Sequence, residues 1–195
     1  MLMPILSRAI LVAAIATAML TASHANPIFD PFGLYSRGAP AARNGVYGAT
    51  PTTRGMATYP GGERPGTIII STRERQLYYI LGNGQAISYG IGVGRDGFAW
   101  SGVKTVSAKR EWPGWTPPKE MLRRRPDLPR YMPGGPDNPL GARAIYLGST
   151  LYRIHGSNEP HTIGQAVSSG CFRMTNADVI DLYNRVRVGA KVIVR

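Results

Sequence analysis

The chain has one cysteine among 195 residues, Cys171, so no disulfide can close within it. Its three histidines and that cysteine are too scattered for metal-ligand spacing, so neither a metal nor any other cofactor is expected. Acidic residues are scarce, 11 against 23 Lys and Arg, and the formal net charge is +12. A basic surface attracts anions. The basic residues are spread out rather than gathered into an arm, and no nucleic-acid-binding motif occurs, so nucleic acid is not an expected partner. The charge then reads either as a solvated, solubility-giving surface or as attraction to an anionic envelope surface.

Long apolar runs are also missing. Ala9 to Leu20 is too short to span a bilayer, but with Arg8 before it and Ser23-His24-Ala25 after it the run reads as an export signal over 1–25, cleaved after Ala25. No Cys lies near that point, so no lipid anchor and no stable membrane anchor is expected once the signal is removed. The expected compartment is the periplasm. From 26 to 65 the chain holds seven Gly and six Pro with little apolar periodicity, and reads as mostly irregular and mobile. Ile28, Phe29, Phe32, Leu34 and Tyr35 either dock its start on the domain or belong to an unstructured tether.

The pattern changes at Gly66. Thr67 to Ser71 and Gln76 to Leu81 read as strands around a charged turn, and Gly82-Asn83-Gly84 reads as a hairpin turn into Gln85 to Val93. Val103 to Lys109, Ala144 to Leu147, Tyr152 to His155 and Lys191 to Val194 complete the expected strands. One helix is expected, capped by Thr175 or Asn176. Asp178 and Asp181 lie near its start, Arg185 and Arg187 near its end, and Gly189 is the expected stop.

The chemistry gathers between His155 and Met174. A thiol becomes a good nucleophile when a base takes its proton, and Cys171 and His155 supply one of each. A lone Cys is often a core filler, but Cys171 follows Ser168-Ser169-Gly170 and precedes Phe172-Arg173, a polar and electropositive turn. Gly170 leaves room for backbone N–H groups to approach a developing oxyanion, and Gly156 leaves room beside the imidazole.

The segments His155-Gly156-Ser157-Asn158-Glu159-Pro160, Ile163-Gly164 and Ser169-Gly170-Cys171-Phe172-Arg173-Met174 resemble the signature of the L,D-transpeptidases, the YkuD-like cysteine enzymes of bacterial peptidoglycan. The resemblance extends to Asn138 to Gly148 upstream and Asn176 to Val179 downstream. It covers 66–195, which is therefore the expected catalytic domain. Phe172 departs from the aliphatic residue more usual there. The resemblance implies a mainly β fold: a β-sandwich of mostly antiparallel strands, with one helix near the C-terminal end and a long Pro-rich loop over the active site.

It also implies that Cys171 is the nucleophile and His155 the base, with Gly170 and Cys171 N–H groups as the oxyanion hole and the Gly156 carbonyl orienting the imidazole. Peptidoglycan peptide stems are the implied donors. The acceptor is another stem, an outer-membrane protein amine or, in a carboxypeptidase, water; a non-catalytic wall-binding protein is a further alternative. Arg173 either holds a stem carboxylate or forms an ion pair inside the turn. Ser169 is a candidate substrate contact, and His161 is a lesser candidate for the base.

The stretch from Glu111 to Leu140 holds eight of the sixteen prolines and reads as a cover over the Cys171 groove. Trp112 and Trp115 offer flat apolar surface, with Trp115 the expected substrate contact. Arg123-Arg124-Arg125 is either a carboxylate-binding rim or solvated surface.

Overall fold

The computed structural model describes residues 54–195. The export signal and the docking residues between Ile28 and Tyr35 lie outside the described residues. The fold is mainly β. Strands β1 (Gly55–Thr58), β2 (Ile68–Ser71), β3 (Gln76–Gly82), β4 (Gln85–Gly90), β6 (Gly102–Glu111), β7 (Arg143–Leu147), β8 (Arg153–His155), β10 (Phe172–Arg173) and β11 (Lys191–Val194) form one sheet in the order β1-β4-β3-β2-β11-β6-β7-β8-β10. A second, two-stranded sheet pairs β5 (Val93–Gly94) with β9 (Ala166–Ser168). Most pairings are antiparallel; β8 with β10, β2 with β11 and β5 with β9 are parallel.

The apolar run Ile68-Ile69-Ile70 is wholly buried, as a strand covered on both faces should be. On one face Ile68, Ile70, Leu77 and Tyr89 join Ile145, Leu147, Ile154 and Phe172 from the far strands in a single core. The two ends of the long sheet thus fold over a shared interior. Tyr59, Ile69, Ile80 and Ala86 form a smaller cluster on the other face. The turn from β3 to β4 uses Gly82, Asn83 and Gly84, all at positive φ (98°, 52° and 71°), which Asn and Gly tolerate best.

Helix α2 (Asn176–Arg185) is capped by Thr175, whose hydroxyl accepts from the Asp178 N–H at 3.1 Å. It buries Val179 and Leu182 against the core. The helix ends before Gly189. Val186 turns to extended backbone, and its carbonyl accepts from Lys109 Nζ at 2.8 Å instead of from the next helical turn. Arg187 therefore lies beyond the helix, and Gly189 serves the turn into β11, its N–H donating to the Val106 carbonyl at 2.8 Å.

Three further expectations change. The segment expected to be irregular up to 65 contains β1, which pairs with β4 along Gly55 to Thr58. The expected strand from Gln85 to Val93 breaks after Gly90, where Gly92 exchanges two backbone hydrogen bonds of 2.9 Å with Arg173. The Pro-rich stretch carries a short helix, α1 (Lys119–Arg124), entered through Pro118.

Candidate active site

The register of two short parallel strands assembles the site. Phe172 on β10 lies opposite Ile154 on β8, and Arg173 lies opposite His155. One step back along both strands, Cys171 comes opposite Arg153. Side chains alternate along a strand, and Ile154 and Phe172 fill the core, so Arg153, His155, Cys171 and Arg173 occupy the other face. Sixteen residues of sequence thereby shrink to one strand spacing across and two residues along. The Met174 N–H donates to the His155 carbonyl at 2.8 Å and carries this pairing past the strand end.

His155 is fully buried. Its Nδ1 is 2.6 Å from the Gly156 carbonyl. A carbonyl only accepts, so Nδ1 carries the proton and Nε2 keeps the lone pair. Burial, reinforced by the positive charge of Arg173, lowers the imidazole pKa to about 3. The ring is neutral at physiological pH. Gly156 is needed for close approach on its other side, because a Cβ there would collide with Asn176. That Asn176 side chain accepts from the Ala142 N–H at 2.9 Å, locking β7, β8 and α2 together behind the base.

Cys171 sits in a braced turn. The Ser168 hydroxyl donates to the Cys171 carbonyl at 2.6 Å and accepts from the Gly170 N–H at 3.1 Å. Trp100 Nε1 donates to the Gly170 carbonyl at 2.8 Å, and its ring stacks on Tyr152 at 4.5 Å. Gly170 has φ of 102°, and a Cβ there would strike Tyr152. The Gly170 N–H, one of the two expected oxyanion donors, is thus engaged by Ser168. The thiol points toward the Leu151 carbonyl at 3.6 Å. Burial pushes its pKa above the ordinary value, opposed by the charge of Arg153. Thiol and imidazole are thus both held uncharged near neutral pH.

Cys171 and His155 line a cavity of about 460 Å³ together with Trp115, Met121, Arg124, Leu140, Tyr152, Arg153 and Ser169. The Pro-rich stretch forms one wall of it. Trp115, Met121, Leu128 and Leu140 make a separate small cluster there, and Trp115 and Met132 exchange two backbone hydrogen bonds of 2.8 Å. Of the three consecutive arginines only Arg124 reaches the cavity. Arg125 pairs with Asp127 at 2.8 Å, and the exposed Arg123 with Glu120, itself at the cavity wall, at 3.8 Å.

Arg173 does not reach the cavity. It is fully buried, and its guanidinium bonds to Glu159 at 3.2 Å and to the Thr162 hydroxyl at 3.1 Å. Of its two readings the ion pair is the one the packing allows. Ser169 lines the cavity and accepts from Arg95 at 3.3 Å. His161 is exposed on the short 3₁₀ turn Pro160–Thr162 and does not line the cavity. Residues that sequence reasoning passed over include Trp100, Tyr152 and Arg153. Arg153 had a usable signal: two residues before His155 in an alternating run, it had to share the imidazole's face of the strand.

Residues 65–194 match the family described as the L,D-transpeptidase catalytic domain. The probable L,D-transpeptidase ErfK/SrfK of Escherichia coli is 40% identical over 134 residues, which are 64% of this chain and 42% of that protein. The chain thus spans about two fifths of the length of that relative. A crystal structure from Brucella melitensis, titled a probable carnitine operon oxidoreductase, shares 47% identity over 73% of this chain and 93% of its own, with a TM-score of 0.50. An L,D-transpeptidase from Mycobacterium smegmatis shares the fold at 16% identity, with a TM-score of 0.54 over 66% of this chain and 58% of that one. Among the described residues no helix is long and apolar enough to cross a membrane. With two thirds of its length inside the family match, and a thiol and an imidazole brought together at the head of two paired strands, this chain belongs to the L,D-transpeptidase catalytic domain family.

Proposed function

We propose that this chain is a periplasmic peptidoglycan L,D-transpeptidase, with an export signal over 1–25 and its catalytic domain over 66–195. One observation carries the reading: the β8/β10 register sets the single thiol and a neutral, tautomer-fixed imidazole in the same cavity. His155 Nε2 takes the proton of Cys171 as Sγ attacks the carbonyl joining meso-diaminopimelate to the terminal D-alanine of a tetrapeptide stem. The Cys171 N–H holds the oxyanion. As the tetrahedral intermediate collapses, the imidazolium returns its proton to the leaving amine, D-alanine departs and a thioester remains. An acceptor amine then attacks; His155 removes its proton and returns one to the thiol.

Keeping both groups uncharged at rest suits this sequence. The proton moves during attack instead of beforehand, so the developing charges appear only in the transition state, where binding lowers the barrier. The test is D-alanine release from a purified tetrapeptide stem, with intact-mass detection of the acyl-enzyme. Wild type releases D-alanine and gains the acyl mass; Cys171→Ala does neither. A wild-type protein inert on both readouts sinks the proposal. By the same chemistry a carbapenem acylates Cys171. Muropeptide analysis then identifies the acceptor: 3-3 cross-links for a stem, a peptide-linked muropeptide for an outer-membrane protein amine, and free tripeptide for water.

A further inference from the structure

Arg153 is half-buried and lines the cavity. It lies directly across from Cys171 in the parallel register and two residues before His155 on the same strand face. No carboxylate among the described residues forms an ion pair with it. Its Nε is buried without a hydrogen-bond partner there, and its guanidinium lies 5.3 Å from the Tyr146 ring centre, so one face rests on an aromatic. The other arginine on this face, Arg173, is committed to Glu159. Its side chain meets the Cys171 thiol, and a partly desolvated guanidinium whose charge no carboxylate balances is costly to hold in a cavity until an anion meets it.

We infer that Arg153 is a carboxylate-binding residue of this site, and that in the proposed reaction it holds the terminal carboxylate of the donor's departing residue. The second half of this statement rests on the transpeptidase reading; the first does not. The dimensions agree. A terminal carboxylate one residue past the attacked carbonyl lies within about 3.5 Å of it along the chain, and neighbouring strands are about 4.8 Å apart. A guanidinium across from the nucleophile is therefore within reach of the leaving residue's carboxylate. The hold restricts attack to the last peptide bond of a stem, since an internal bond presents no carboxylate at that distance.

The test uses the sole cysteine as a reporter. Cys171 is alkylated in parallel with iodoacetate, which carries a carboxylate, and with the uncharged iodoacetamide, and the two rate constants are read by intact mass. Their ratio cancels the thiolate fraction, so a change in thiol pKa alone leaves it unmoved. In wild type the iodoacetate to iodoacetamide ratio should exceed that of Arg153→Gln by about tenfold, the size of one charge-assisted contact of 1.4 kcal/mol. Arg153→Lys, which keeps the charge and loses the fork, should fall between. Equal ratios in wild type and Arg153→Gln overturn the inference, whatever the enzyme's activity. Should Arg153→Gln misfold, a wild-type ratio no higher than that of Arg153→Lys overturns it equally. A second comparison addresses the donor: wild type should prefer a tetrapeptide ending in a free carboxylate over its C-terminal amide, through KM, and Arg153→Gln should lose that preference. If wild type turns over both donors without preference, the transpeptidase reading stands and the assignment of Arg153 to the leaving residue falls.

Discussion

Two walls face each other across the Cys171 cavity, and different forces hold them. The β8/β10 wall is part of the long sheet: its backbone is paired, and its apolar face belongs to the main core. The opposite wall, between Glu111 and Leu140, has its own four-residue apolar cluster and a few local hydrogen bonds, such as those from Asn138 to the Met132 and Pro133 carbonyls at 3.2 and 2.9 Å. Chemistry that tolerates little displacement sits on the first. On the proposed function, surface that selects the donor would sit on the second, where a change need not disturb the sheet.

The sharpest way to test this division is to disturb one wall and read the other. His155→Gln should lower kcat/KM for D-alanine release by about 10²- to 10⁴-fold, the span of general acid–base contributions, while circular dichroism and hydrogen exchange in residues 111–140 stay as in wild type. His161→Ala should leave the rate within about threefold. Larger loss in the second variant than in the first would reassign the base.

Leu128→Ala disturbs the other wall. A buried Leu cut to Ala loses about 2–5 kcal/mol of packing, and here the loss should be local: faster exchange in 111–140 with the amides of β2, β3 and β11 still protected. Global unfolding at the same denaturant concentration as the local opening would show that the walls are one cooperative unit.

A third test uses acid. Unfolded His155 binds a proton near its ordinary value of 6.5, whereas the folded, buried ring does so only near 3. Between those values the unfolded state holds the extra proton, so stability falls as pH falls from about 6.5 toward 3, by at most about 1.4 kcal/mol per pH unit. His155→Gln should flatten the slope of urea-unfolding stability between pH 6.5 and 4. Asp181, held near 2 by Arg185, adds its own loss only below 3.8. An unchanged slope in His155→Gln would mean that the ring is already charged in the folded protein.

The smallest effect belongs to the rim. Arg124→Gln should raise the donor KM by no more than about fivefold, as befits an exposed charge, and Arg123→Gln and Arg125→Gln should change it less because those side chains do not line the cavity.

Legibility from sequence followed the range of the interactions. β2, β3 and β11 are runs of β-branched and apolar residues that sign themselves locally, and the Thr175 cap and Asn83-Gly84 turn do the same. β5 and β10 are two residues long; they exist because partners elsewhere in the chain supply the hydrogen bonds, so no local pattern announces them. β1 is likewise defined by β4, and α1 by apolar anchors within a Pro-rich stretch. At the site, Cys171 and His155 stood out by chemical type. The choice between the two readings of Arg173 could not be made there, because its meeting with Glu159 depends on how distant segments pack.

The position of β11 bears on how the long sheet comes to close. Late in the chain, it lies between β2 and β6, and its parallel partner is more than a hundred residues away, Val192 opposite Ile68. Without Lys191 to Val194, β2 and β6 would each keep an open edge, and the two parts of the sheet would be joined only through β5 with β9 and the Gly92–Arg173 bridge. Closure of the long sheet thus waits on a distant keystone. Among the described strands the one made last is therefore the one that joins the first hairpins to the strands bearing Arg153, His155 and Cys171, so the sheet can close only when synthesis has reached Val194.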